Sequence, residues 1–269
     1  MMRIFVLIIV CAALGVLIIM LVPPWQMPDE PAHFEYAALW ARSGQLPQAS
    51  SYDDAIDRAL GISLAQEHFY SYLMPIPPTA PPETLSAARE LFFMPRQVGG
   101  DPPLAYAPAA LLLRNLQTWP IEMQLRTMRL LSLLYTLGAV LCVYCSARML
   151  SDSREVALAS ALLVGLQPQF LFIGVAASND ALANLLGSAT CLALIAGGRM
   201  QNARCRSAPI LVLLVLILAG LATKRGFVPL AAALLLIACA AWLKQVWGRG
   251  RGAACCAPYP AVVYVTAYK

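Results

Sequence analysis

The sequence predicts an all-α, polytopic membrane helix bundle, and three observations carry that prediction. Hydrophobic residues fill 60% of the 269 positions and charged residues only 12%, against roughly 25% charged in an ordinary soluble domain. The mean hydropathy is accordingly high, at +0.68. Uncharged apolar runs recur at 4–22, 130–147, 156–178, 181–198, 207–223 and 226–243. Each lies near the ~20 residues that carry a helix across a hydrocarbon core at about 1.5 Å per residue. Charge is also sorted along the chain. Eleven of the 14 acidic residues fall between Asp29 and Glu122, whereas basic residues gather in short connections between apolar runs. Oriented insertion produces that sorting, and it argues against a nucleic-acid partner. The expected architecture is about six spans with a large, mainly helical first loop.

The first element, residues 1–22, is a retained span. Its apolar run is longer than the core of a cleaved signal peptide and ends in "VPPWQMP" rather than a small-residue cleavage site. Residues 23–125 form a proline-rich loop with three helical pieces. "EPAHFEYAALWARSG" has Asp29 as N-cap, Pro31 in the first turn and Gly44 at its end. "SYDDAIDRALGISLAQEHF" is the second piece. "DPPLAYAPAALLLRNLQTW" is the third, with Asp101 as cap and Pro102 near its first position. Pro108 and Arg114 interrupt that third piece, so it reads as a helix on the membrane surface ending at an interfacial Trp119. Residues 126–245 hold five further spans, of which 207–223 sits at the lower limit of length. The segment 246–269 reads as an irregular, truncated tail.

Orientation follows from Lys and Arg near the span ends. With the N-terminus inside, the inner connections carry Arg148, Arg154, Arg199, Arg204, Arg206, Lys244, Arg249 and Arg251, against Lys224 and Arg225 outside. The loop 23–125 is then extracytoplasmic and the N-terminus cytoplasmic. None of the eight cysteines lies in that loop, and most sit inside apolar runs as small hydrophobes. Cys142 and Cys145 have CxxC spacing mid-span with no accompanying ligands, which reads as packing.

This topology gathers four polar features at one membrane face: Asp29–Glu30, "DPPL" at 101–104, "SND" at 178–180 and "TKR" at 223–225. Each has a plain structural explanation. Asp29, Asp101 and the Ser-Asn-Asp triplet are good helix caps. Lys224 and Arg225 can snorkel toward headgroups. His33 can simply occupy a helix face. Their joint order is more informative than any member.

In that order the chain resembles the GT-C superfamily of integral-membrane glycosyltransferases. The resemblance rests on "PDEPAHF" after span one, "DPPLAYAPAALLL" late in the loop, "RLLSLLYTLGAVLCVYCSARML" as the second span, and "ALASALLVGLQPQFLFIGVAASNDALANLL" beyond it. It covers residues 1–245, and is nearest to uncharacterised bacterial GT-C-like membrane proteins with "PDEPAHF" after the first span. GT-C proteins usually continue beyond six spans, so the resemblance implies a truncated member. It also implies a polyprenyl-phosphate sugar donor, an extracytoplasmic glycan, lipid or protein acceptor, and a place in the inner membrane of a bacterial cell envelope.

That chemistry needs a carboxylate to take the acceptor's proton. Asp29 is the first candidate and Glu30 the second. It also needs cations at the lipid interface to stabilise the leaving phosphate. Lys224 and Arg225 are the candidates, followed by Arg129. His33, Asp101, Asn179 and Asp180 are expected to bind or orient substrate. Asp101 or Asp180 can alternatively hold Mg²⁺ or Mn²⁺ on carboxylate oxygens, and since some GT-C enzymes need no metal, metal dependence stays open. Two alternatives stay open: a non-catalytic membrane assembly subunit whose loop binds a partner, and a transporter or flippase of lipid-linked sugars. The near absence of charge inside the spans weighs against the transporter.

Overall fold

A computed structural model describes residues 2–48, 50, 51, 53–69, 71, 98–199, 207–233 and 236. The described residues are helical, with no strand among them. The chain divides into one unit over residues 1–227 and a second over 228–269.

Among the described residues nine α-helices order the first unit: α1 Met2–Leu21, α2 Glu30–Ser43, α3 Asp54–Gln66, α4 Tyr106–Arg114, α5 Ile121–Ser151, α6 Arg154–Gly165, α7 Pro168–Val175, α8 Asp180–Arg199 and α9 Ser207–Leu221. Short 3₁₀ turns at Pro103–Ala105 and Arg225–Phe227 accompany them. The 31-residue α5 is the spine, packed against α1, α6, α7 and α8, with α9 on the far side of α8. The loop helices α2, α3 and α4 pack on one another and around the first turns of α5.

Helix α1 shows how little of a span needs to be buried. Leu7, Cys11, Gly15 and Ile19, spaced by four, form its one buried stripe. Phe5, Ile9, Leu17 and Met20 on the other faces are more than half exposed, as lipid-facing side chains are. Small residues set the approach of the spans. A Cβ on Gly165 would lie 2.9 Å from Cys11 Sγ, and one on Gly174 would lie 2.6 Å from Thr136 Oγ1. The Cys11 thiol donates to the Gly165 carbonyl at 3.4 Å, so this cysteine packs as expected.

One expectation about the spans changes. The run 156–178 is not one helix. It is α6 and α7, bent by 62° at a break. Pro168 starts α7 without an N–H, and Gln167 before it takes extended geometry (φ −67°, ψ 117°). Helix α9 covers Ser207–Leu221 among the described residues, 15 residues of the expected run 207–223. Among the described residues three helices are long and apolar enough to cross a membrane, or four if the bent pair counts as one. Half of the run 226–243 lies outside the described residues, as do 72–97 of the loop and the tail 246–269.

The loop helices begin differently from the expectation. Asp29 occupies the N-cap position of α2, but in left-handed geometry (φ 58°), and its side chain makes no cap hydrogen bond. Asp101 does not cap α4 either. The chain enters through the 3₁₀ turn at Pro103, and Pro108 falls in the first turn of α4, where its missing N–H costs nothing. Gly44 does end α2, at φ 68°, donating its N–H to the Trp40 carbonyl. Trp25, also left-handed at φ 67°, is buried edge-on against Phe34 at 5.3 Å. Its indole N–H donates to Ser63 Oγ at 2.9 Å. Ser63 in turn donates to Glu122 Oε1 at 2.6 Å, so one chain of bonds ties the exit of α1 to α3 and α5.

Candidate functional site at the mouth of the first span

Four segments far apart in sequence meet just past the end of α1. The first link is a buried ion pair. Arg129 of α5 and Glu30 of α2 are both 0% exposed. Arg129 Nε donates to Glu30 Oε1 at 2.8 Å and Nη2 donates to Oε2 at 2.7 Å, a bidentate fork. The remaining guanidinium hydrogens reach the Val22 carbonyl at 2.8 Å and the Pro23 carbonyl at 2.9 Å, closing the exit of α1. Glu30 Oε1 also accepts the Ala177 N–H at 3.2 Å, in the non-helical bend between α7 and α8. Irregular backbone beside a membrane must find such partners inside the protein. Glu30, expected as a second base, therefore has both oxygens committed to this pair, and Arg129 faces Glu30 and the chain rather than open solvent.

The second link is a polar relay. His33 Nδ1 and the Tyr106 hydroxyl are 2.7 Å apart, both groups buried. Tyr106 donates to Asp101 Oδ2 at 3.5 Å, and Asn179 Nδ2 donates to the same oxygen at 3.2 Å. With the tyrosine proton directed to Asp101, the Nδ1–H tautomer of His33 donates to the tyrosine oxygen, leaving Nε2 with its lone pair. Tyr36, one turn after His33 on the same face of α2, packs on the Tyr106 ring at a centroid distance of 4.3 Å. Burial pushes the Tyr106 phenol well above its usual range, and the Asp101 carboxylate pushes it further. Burial lowers the His33 imidazole below 6.5, partly opposed by Asp29, Asp101 and Asp180, with Lys224 reinforcing the lowering.

The third link joins the last segment. Asp180 opens α8, with its N–H on the Ser178 hydroxyl at 3.2 Å, and its carboxylate pairs with the Lys224 ammonium. Both side chains are 37% exposed. Arg225 is exposed and donates to the Gly100 carbonyl, while the Leu104 N–H donates to the Ala222 carbonyl at 2.9 Å.

The structure therefore brings Asp29, Asp101, Asp180 and Lys224 within electrostatic reach of one imidazole, with Asn179 and Arg225 bonded into the same neighbourhood. Asp29 is exposed at its rim. Sequence reasoning missed Tyr106, the hydroxyl that joins α2 to the "DPPL" turn. Its only signal was an aromatic two residues after that motif. A divalent ion fits poorly, because Asp101 Oδ2 serves Asn179 and Tyr106 and Asp180 Oδ1 serves Lys224. Among the described residues no three His, Cys, Asp or Glu side chains group to hold a metal.

Comparison with known families gives the family of the chain. A sequence model described as dolichyl-phosphate-mannose-protein mannosyltransferase matches residues 93–254. The chain belongs to that family. It is a GT-C membrane glycosyltransferase family that uses a polyprenyl-phosphate-linked sugar. No curated protein and no solved structure matches the chain. The family match begins just before Asp101 and so includes Tyr106, Arg129, Asp180 and Lys224, while Asp29, Glu30 and His33 precede it. The His33–Tyr106 contact and the Glu30–Arg129 pair join the two parts.

Proposed function

We propose that this protein moves a sugar from a polyprenyl-phosphate donor to a hydroxyl of an extracytoplasmic glycan, lipid or protein acceptor, with Asp29 as general base. The observation that carries the reading is the convergence of Asp29, Asp101, Asp180 and Lys224 around His33 and Tyr106 at the end of a span. A lipid-linked donor brings its phosphate to that depth, because its tail stays in the bilayer. As the acceptor oxygen bonds to the anomeric carbon, Asp29 takes its proton. The bond from that carbon to the phosphate oxygen breaks, and polyprenyl phosphate leaves with the electron pair. Lys224 and Arg225 face the developing phosphate charge, since both stay partly accessible. Glu30 is a positioning residue: its pair with Arg129 anchors the left-handed turn that presents Asp29. The Tyr106–Asp101–Asn179 cluster orients the sugar hydroxyls. With the N-terminus cytoplasmic, the site faces the periplasmic side of a bacterial inner membrane.

The test is transfer of radiolabelled sugar from polyprenyl phosphate in membranes holding the wild type or Asp29→Asn. Loss of transfer with normal membrane insertion is expected. Undiminished transfer by Asp29→Asn removes Asp29 from the base role.

A further inference from the structure

We infer that a cavity at the other end of the first span is a binding site for the headgroup of an anionic phospholipid. It is a surface cavity of about 350 Å³ where α1, α5 and α6 meet, lined by Arg3, Ile4, Tyr144, Arg154, Glu155 and Leu158 among others. Arg3 stands in the first turn of the 20-residue α1, whereas Asp29 lies beyond its last turn. At 1.5 Å per residue the two ends are about 30 Å apart, so this cavity is on the opposite membrane face from the proposed glycosyl site.

Charge and shape select the ligand. Two guanidiniums face one carboxylate, leaving the lining net positive. Glu155 is already engaged: its own backbone amide and the Ser153 hydroxyl hold its carboxyl below the usual range, and Arg3 and Arg154 lower it further. The Ser153 hydroxyl donates to Glu155 Oε2 at 3.1 Å. The guanidiniums suit a phosphodiester, which accepts their paired N–H groups, and the Tyr144 hydroxyl adds a donor. Ile4 and Leu158 make the rest of the wall apolar. Leu162, one turn beyond Leu158 on α6, is exposed and continues that apolar face toward the membrane interior. A free phosphate leaves this wall unused. A phospholipid places its phosphate between the arginines and its chains along α6.

The protein is reconstituted in micelles holding phosphatidylcholine and phosphatidylglycerol at 4:1, and retained lipid is counted by native mass spectrometry. Phosphatidylglycerol is expected to be enriched at least threefold over its share. The enrichment should fall to the micelle ratio in Arg3→Gln/Arg154→Gln, whose side chains are exposed and whose loss leaves the packing intact. Arg154→Lys should keep most of it. Equal retention of both lipids, unchanged enrichment in the double variant, or displacement of phosphatidylglycerol by millimolar inorganic phosphate overturns the proposal. If the double variant loses its helical circular dichroism, Tyr144→Phe replaces it, and enrichment equal to wild type in that variant counts against the site.

Discussion

Replacing Arg129 by Met should cost more than any other single change near the site. Arg129 is 0% exposed and gives Glu30 two charged hydrogen bonds of 2.8 and 2.7 Å. It also satisfies the Val22 and Pro23 carbonyls at the exit of α1. The substitution leaves the Glu30 carboxylate buried with the Ala177 N–H as its remaining bond. An unpaired buried charge of this kind costs about 3–5 kcal/mol. For a domain of this size that corresponds to roughly 6–20 °C in Tm. Removing both partners, as Glu30→Leu/Arg129→Met, takes away the stranded charge. It leaves only orphaned backbone groups, at about 1–3 kcal/mol each. The double variant should therefore lose much less than the sum of the two single losses. Thermal unfolding in detergent micelles, followed by far-ultraviolet circular dichroism, measures all three variants. A single-variant loss below about 1 kcal/mol, or a double variant costing the full sum, would refute the view of this pair as a mutually dependent buried lock.

Three other perturbations test neighbouring parts of the site and bundle. Tyr106→Phe keeps the ring stack on Tyr36 but removes the hydroxyl shared by His33, Asp101 and Asn179. It should cost about 1–3 kcal/mol in thermal unfolding and raise KM for the donor more than it lowers kcat. His33 has its pKa lowered below the ordinary 6.5 by burial, so the unfolded chain binds the extra proton first. Its contribution to stability is complete above about pH 6.5 and is lost as pH falls below that value. A pH series of Tm should show this acid slope in the wild type and a shallower one in His33→Gln. Gly174→Ala puts a Cβ 2.6 Å from Thr136 Oγ1 and 2.9 Å from Cγ2. Thr136 is held by its bonds to the Ser132 and Gly174 carbonyls, so overpacking should cost about 1–3 kcal/mol. An unchanged Tm would show that α5 and α7 separate freely there.

Hydropathy and charge sorting were enough to foresee an all-α membrane bundle with a polar first loop, because a span must be apolar over its whole length wherever it packs. Local backbone chemistry was also legible: Gly44 ends α2 in the left-handed geometry that glycine tolerates. The break at Pro168 was written in the chain too, but the apolar run continues through it and hid the bend. Partner choice was not legible. Asp29 and Asp101 both looked like caps, and their neighbours in sequence permit capping. Only the folded chain shows Asp29 making no cap bond and Asp101 turned to Asn179, 78 positions away. Glu30 likewise looked like a spare base until Arg129, 99 positions on, closed around it. A buried charge or hydroxyl is satisfied by whatever the packing of distant helices brings within about 3 Å, and no local pattern records which group that is.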